Sequence, residues 1–215
     1  MGWFAPINAY CERIGPGYWD EPVNAVTNAA FLIAAFVMWL RVRGQGLPLA
    51  MAMVVVLAVI GVGSYLFHTH ANRLTALMDT TPIALFILLY VFAATRDYIG
   101  LPWWGAALVT LGFIPYSMAL TPVFRSLPFF EVSAFYWPVP LLIAIYAAIL
   151  WRSAPATARG LALGAAILAA SLTFRSIDQI LCDVFPLGTH FMWHVLNGLM
   201  LGWMIEVYRR HMLAG

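Results

Sequence analysis

Seven apolar stretches of about 20 residues dominate the sequence and constrain its fold more than any other feature. They are separated by short connections, which carry charged residues, Gly or Pro. The stretches run approximately over residues 23–40, 47–67, 76–94, 101–120, 132–151, 160–181 and 189–207. A helix of about this length is what crosses the hydrocarbon core of a bilayer. The pattern predicts an all-α membrane protein, a seven-transmembrane helix bundle that forms one domain over residues 1–215.

The composition agrees with this class and argues against others. Hydrophobic residues make up 63% of the chain and charged residues only 9%, whereas about a quarter of the residues in a soluble domain are charged. All 11 basic residues are arginine and the net charge is +2. No basic surface is available to neutralise phosphates, which excludes nucleic acid as a partner. No sequence feature requires a protein partner.

The arginines in the connections predict the orientation in the membrane. Seven lie on one side and three on the other, while Arg175 falls within the sixth stretch. The larger group is Arg41, Arg43, Arg96, Arg152, Arg159, Arg209 and Arg210, and the smaller is Arg13, Arg73 and Arg125. By the positive-inside rule, the C-terminus is expected in the cytoplasm and the N-terminus outside or in a lumen.

The only two cysteines fall on the same predicted, non-cytoplasmic side. Cys11 lies in the N-terminal segment and Cys182 at the end of the sixth stretch. A disulfide in an oxidising compartment is the favoured interpretation, since topology places the two residues together without reference to their chemistry. The alternative is a pair of buried free thiols.

Polar residues inside spanning segments are costly, so each is a candidate for function. Ser64 and His68 lie one turn apart at the end of the second stretch, Asp79 begins the third, and His190 and His194 open the seventh. The predicted topology brings these helix ends to one side of the membrane. The sequence therefore places three imidazoles and a carboxylate at one depth.

Three histidines, His68, His190 and His194, are expected to bind zinc and leave a fourth position for water, as in catalytic sites. Water bound there becomes acidic enough to supply hydroxide near neutral pH. Asp79 is then the candidate general base and Ser64 a hydrogen-bond donor to developing negative charge. The competing interpretation is a set of hydrogen-bonded core histidines, since a pair spaced i, i+4 often arises by chance.

Two further polar groups allow more than one interpretation. Glu12 and Glu21, with Asn side chains and carbonyl groups, could form an oxygen-rich calcium site. Equally, Glu21 could favour a helix N-terminus, and Asn24 could join helices by hydrogen bonds. Arg175 and Asp178, three residues apart, are expected to form an intrahelical ion pair. The alternatives are polar contacts with the region of Glu12 and Glu21 or with a substrate headgroup.

At these residues the chain resembles the alkaline ceramidase family, within the seven-helix membrane hydrolases that include the progestin and adiponectin receptors. The matching pieces are Tyr-Cys-Glu at 10–12, Glu-Pro-Val-Asn-Ala-Val-Thr-Asn at 21–28, Gly-Val-Gly-Ser-Tyr-Leu-Phe-His at 61–68, Met-Asp-Thr-Thr-Pro at 78–82 and His-Phe-Met-Trp-His at 190–194. They keep the family's order. Any one alone is a weak signal, and together they are specific.

The resemblance implies a zinc amidase that cleaves the N-acyl bond of ceramide, or of a related membrane lipid amide, to a fatty acid and a sphingoid base. It implies zinc at the three histidines, catalytic roles for Ser64 and Asp79, and a disulfide between the two cysteines. Glu12 and Glu21 match two calcium ligands, but Ala9 and Ile14 stand where the eukaryotic pattern has Asp and Asn. The alternative is a zinc-containing lipid receptor with little turnover.

Overall fold

The computed structural model describes residues 2–214, and the regular elements in that range are helical apart from one isolated bridge between Pro6 and Asn72. Eight α-helices are found in this part of the chain. They are α1 (Pro22–Thr27), α2 (Ala29–Val42), α3 (Pro48–His70), α4 (Arg73–Asp97), α5 (Trp103–Arg125), α6 (Pro138–Leu150), α7 (Pro155–Ile177) and α8 (His190–Ala214). The all-α prediction is confirmed.

Five helical segments within residues 2–214 are long and apolar enough to cross a membrane. These are the combined α1–α2 segment, α3, α4, α5 and α7, whereas α6 is apolar but shorter. Each of the seven predicted stretches corresponds to a helical segment. Seven crossings and the orientation of the termini stay predictions.

The start of α6 differs from the sequence expectation. The stretch was predicted from residue 132, but a 3-10 turn at Glu131–Ser133 precedes the helix, which begins at Pro138. Proline suits the first turn of a helix because its missing N–H needs no partner there. Apolar composition alone therefore misplaced this boundary by about one and a half turns of helix.

The helices pack as a ring, in which each neighbour in the order α5, α4, α3, α2, α8, α7, α6 contacts the next. The short helix α1 also contacts α3 and α8. At Gly63 a side chain would meet the backbone of Met78, so glycine permits the close approach of α3 and α4. The end of α3 and the starts of α1, α4 and α8 consequently lie at one end of the bundle.

A disulfide fastens the N-terminal arm to this same end. Cys11 and Cys182 are bonded, with their Cα atoms 5.2 Å apart, which confirms the predicted pairing over the alternative of two free thiols. The bond joins the segment before α1 to the segment between α7 and α8. It thereby holds the arm across the end of the bundle where the histidines lie.

Candidate metal centre

The last turn of α3 and the first two turns of α8 bring three histidines together. One potential ligand atom from each of His68, His190 and His194 lies within 4.8 Å of the others. The side chains are buried, with at most 1% of any residue exposed. The i, i+4 spacing places the two histidines of α8 on one face, and the α3–α8 contact supplies the third. The predicted clustering is confirmed.

The cluster contains buried nitrogen atoms that have no protein partner. His68 Nε2, His194 Nε2 and His190 Nδ1 make no hydrogen bond to any described residue. Leaving a buried polar atom unsatisfied costs about 1–3 kcal/mol, which metal binding would offset. Three imidazole groups suit a transition-metal ion, and three protein ligands leave a fourth coordination position for another ligand. The residues present therefore fit a metal ion.

The outer nitrogens of two rings are already fixed by neighbours. His68 Nδ1 lies 2.6 Å from Glu21 Oε2, and His194 Nδ1 lies 3.0 Å from the Thr27 hydroxyl. Thr27 donates its proton to the carbonyl oxygen of Val23 at 2.7 Å, so its oxygen accepts from His194. A proton on Nδ1 leaves the lone pair on Nε2, which is how outer partners orient metal-binding histidines.

Two of the candidate catalytic residues lie beside His68. Ser64 is buried one turn earlier on α3, with 3% of its surface exposed. Asp79, in the second turn of α4, interacts with the Ser64 hydroxyl and lies within electrostatic range of His68. The structure thus brings Ser64, Asp79 and the three histidines together.

The predicted calcium ligands are engaged with protein donors. Glu12 accepts hydrogen bonds from the N–H groups of Val23 and Asn24 at 2.7 and 2.8 Å, one on each oxygen. It therefore caps the start of α1, a role that the sequence suggested for Glu21 instead. Glu21 accepts from Arg13, from Asn24 at 3.1 Å and from His68. The predicted calcium site finds no support.

The charges around Glu21 explain its ionisation. Burial alone raises the pKa of this carboxyl group, but the hydrogen bonds from His68 and Arg13, with the charge of the Arg13 guanidinium group, outweigh burial and hold the pKa below its usual range. An ionised Glu21 is the form that accepts a hydrogen bond from the N–H group at His68 Nδ1.

The predicted ion pair between Arg175 and Asp178 is wrong. Asp178 accepts from the N–H groups of Thr189 and His190 at 2.7 and 2.9 Å, and from Cys11 N–H at 3.1 Å. Arg175 donates to the Val132 carbonyl and the Ser133 hydroxyl, each at 3.0 Å. The unpaired N–H groups at the start of α8 attract the Asp178 carboxylate. Asp178 thereby joins the N-terminal arm to the helix of His190 and His194.

Tyr10 was not predicted as part of the site. Its ring stacks on His190, with centroids 3.6 Å apart and planes 16° from parallel. Burial raises the pKa of Tyr10 to about 12, so its hydroxyl stays neutral. The sequence feature that could have indicated its role is its position next to Cys11, since the disulfide to Cys182 brings Tyr10 close to the start of α8.

An apolar cavity begins below the histidines. Its upper part contains Phe31, whose ring lies 6.2 Å from that of His194, together with Trp193. A second apolar cavity shares lining residues with the first and continues to Tyr90 and Tyr146. The shared residues are Ile87, Val139, Met200 and Leu201. The bundle thus holds apolar space next to the polar cluster.

Comparison with known protein families gives a match over nearly the whole chain. A family model described as Ceramidase matches residues 9–213, a range that includes the disulfide, the three histidines, Ser64 and Asp79. No curated protein matches the chain.

Proposed function

Because the chain belongs to the ceramidase family, whose name implies an amide hydrolase, we propose that it is a zinc-dependent membrane amidase. The bond it cleaves is the N-acyl bond of ceramide or a related lipid amide, which gives a fatty acid and an amine, a sphingoid base in the case of ceramide. The observation that carries the proposal is the group of three buried histidines with unpartnered nitrogens beside Ser64 and Asp79.

His68, His190 and His194 are the residues that hold the ion. When bound there, zinc supplies a Lewis acid that polarises a carbonyl group and acidifies water. Asp79 accepts the proton of the attacking water and later delivers it to the amine that leaves, as a general base and then a general acid. Ser64 donates a hydrogen bond to Asp79 at rest and, once Asp79 has taken up the proton of the water, to the negative charge that develops on the carbonyl oxygen.

The surroundings of the site support a lipid substrate. Small cavities beside the cluster are lined almost wholly by apolar side chains, a lining compatible with part of a hydrocarbon chain. With seven crossings and the arginine-rich connections in the cytoplasm, the site lies toward the outer or lumenal face of the membrane. In this arrangement the protein is an integral, multi-pass membrane protein whose residues 1–215 act as one domain.

The test combines metal analysis with product analysis. Purified protein is expected to contain one zinc ion per chain and to release fatty acid from at least one member of a panel of lipid amides that includes long-chain ceramide. His194→Ala is expected to lose both the zinc and the products. Wild-type protein without zinc, or full hydrolysis by His194→Ala, would contradict the proposal. Tight lipid binding without product in a single turnover would favour the receptor instead.

A further inference from the structure

The N-terminal loop already contains a buried positive charge where the sequence suggested a calcium ion. Arg13 has only 6% of its surface exposed, and its guanidinium group forms an ion pair with Glu21. Neither Glu12 nor Glu21 is left without a donor. The residues of this loop therefore do not fit calcium, because a second cation would have to displace a guanidinium group from its carboxylate.

Oxygen atoms surround the guanidinium group in the way they would surround a metal ion. Besides Glu21, Arg13 Nη1 donates to the carbonyl oxygens of Gly15 and Gly17 at 3.0 and 3.4 Å, and Nη2 donates to the carbonyl oxygen of His68 at 2.8 Å. One carboxylate and three backbone carbonyls are typical hard ligands for a divalent cation. Here they are gathered by the N–H groups of one side chain.

Two of these contacts lead to the metal centre. The carbonyl of His68 belongs to the last turn of α3, where carbonyl groups lack partners within the helix. Arg13 satisfies it at 2.8 Å. Glu21, held by Arg13, accepts from His68 Nδ1 at 2.6 Å. Arg13 therefore fixes both the backbone and, through Glu21, the ring of one candidate ligand.

We propose that Arg13 takes the place of a structural divalent cation and acts as a positioning residue for His68. The proposal rests on the metal centre of the proposed function. An arginine keeps its charge at all physiological pH values and cannot dissociate from the chain. The geometry of His68 is consequently independent of calcium, so the affinity of the centre for its metal does not respond to calcium concentration.

The experiment measures Co²⁺ binding from the absorption spectrum of metal-depleted, full-length protein in detergent, with and without calcium. Calcium binding is measured separately on the same samples. The variants are Arg13→Ala, Arg13→Lys and, as a matched control, the exposed Arg125→Ala. Thermal unfolding of each variant separates effects on the site from effects on folding.

The wild type and Arg125→Ala are expected to bind Co²⁺ equally, and calcium should not change their affinity for Co²⁺. Arg13→Ala is expected to bind Co²⁺ about 10–100-fold more weakly, the usual effect of losing an outer partner of a metal ligand. Calcium should restore part of this affinity by binding to the oxygen atoms that contact the Arg13 side chain in the wild type. Arg13→Lys is expected to lie in between, because an ammonium group lacks the planar fork that reaches Glu21 and His68 together. A merely structural role would lower stability without rescue by calcium.

Two results would overturn the inference: calcium binding by the wild type with a gain in Co²⁺ affinity, or unchanged Co²⁺ affinity in Arg13→Ala. Wild-type protein that binds no Co²⁺ would instead contradict the metal centre. In that case the calcium binding of the two proteins still tests whether Arg13 replaces calcium. Calcium binding by Arg13→Ala and not by the wild type supports the replacement, and equal behaviour of the two rejects it.

Discussion

The two ends of the helix bundle both bury polar side chains, but only one end provides all of them with partners. At the end with Glu206, which we call the arginine end, this carboxylate pairs with Arg41, Arg209 and Arg210 at 2.7–3.0 Å. Tyr208 donates to Asp97 at 2.6 Å. At the opposite, histidine end lie the six buried side-chain atoms without a partner that residues 2–214 contain. They belong to Asn24, Asn28, His68, Trp137, His190 and His194.

The polar side chains at the arginine end form a network that contributes to stability. Those at the histidine end include unpaired atoms that are available to a ligand. A satisfied buried network needs nothing further, whereas unpaired buried atoms carry a cost until something binds them. Polar residues inside a membrane protein are therefore not equivalent evidence for function. The unpaired nitrogens, rather than the burial of histidine as such, distinguish the candidate site. Substitutions of the unpaired residues should accordingly lower activity, whereas substitutions at the arginine end should lower stability alone.

The largest expected effect is on activity at the histidine end. His194→Ala should abolish zinc binding and with it measurable hydrolysis, a larger effect than the loss of an outer partner of a metal ligand, which costs about 10–100-fold. The matched control is His211→Ala at the arginine end, where His211 contacts Thr157 at 2.8 Å. Activity and zinc content should survive that change. If both variants lose activity and zinc to the same extent, the two ends do not differ in function.

A second pair of substitutions uses the two ends of one helix. Asp79→Asn should lower kcat by about 10²–10⁴-fold, as for removal of a general base, while zinc stays bound. Asp97→Asn, in the last turn of α4, should leave kcat unchanged. Steady-state kinetics and metal analysis of both proteins measure this. A normal kcat in Asp79→Asn would assign the proton transfer to another group.

The disulfide is expected to contribute to the free energy of unfolding and, by holding the N-terminal arm in place, to slow the dissociation of zinc. Cys11→Ser together with Cys182→Ser is expected to lower the free energy of unfolding by about 2–5 kcal/mol. Zinc should also dissociate faster, because the arm that carries Tyr10 is released from α8. Thermal unfolding and metal exchange measure the two effects. If both remain at wild-type values, the arm is held by its hydrogen bonds alone.

At the arginine end, stability should change without activity. Glu206→Gln weakens three ion pairs and is expected to cost about 1–3 kcal/mol of unfolding free energy, toward the lower limit because Arg41 and Arg210 are largely exposed. Zinc content and kcat should match the wild type. A selective fall in kcat at unchanged stability would show that the two ends are coupled.

The smallest expected effect concerns the aromatic cover of His190. Tyr10→Leu removes a ring stack worth about 0.5–1.5 kcal/mol, so zinc affinity should fall severalfold. Tyr10→Phe keeps the ring and should keep the affinity. If Tyr10→Phe is as weak as Tyr10→Leu, the hydroxyl group rather than the stack is the part that matters.

The sequence predicted those parts of the site that regular helices determine. His68, Asp79, His190 and His194 lie at helix ends, and hydropathy together with helical spacing placed them at one depth. The sequence did not predict the partners of Asp178, the stacking of Tyr10 or the contacts of Arg13. These depend on the path of the irregular segments 2–21 and 178–189, which have no periodicity to interpret. Which carboxylate meets which donor is decided by that path.

The ring closure of α2 against α8 also governs when the site can exist during biosynthesis. Glu21 and Thr27 emerge from the ribosome well before His190 and His194, which lie in α8. Nascent protein that lacks α8 holds one histidine of three. For the proposed metal centre, loading is therefore expected to be a late event that requires α8, and chains interrupted before α8 should neither hold the ion nor hydrolyse substrate.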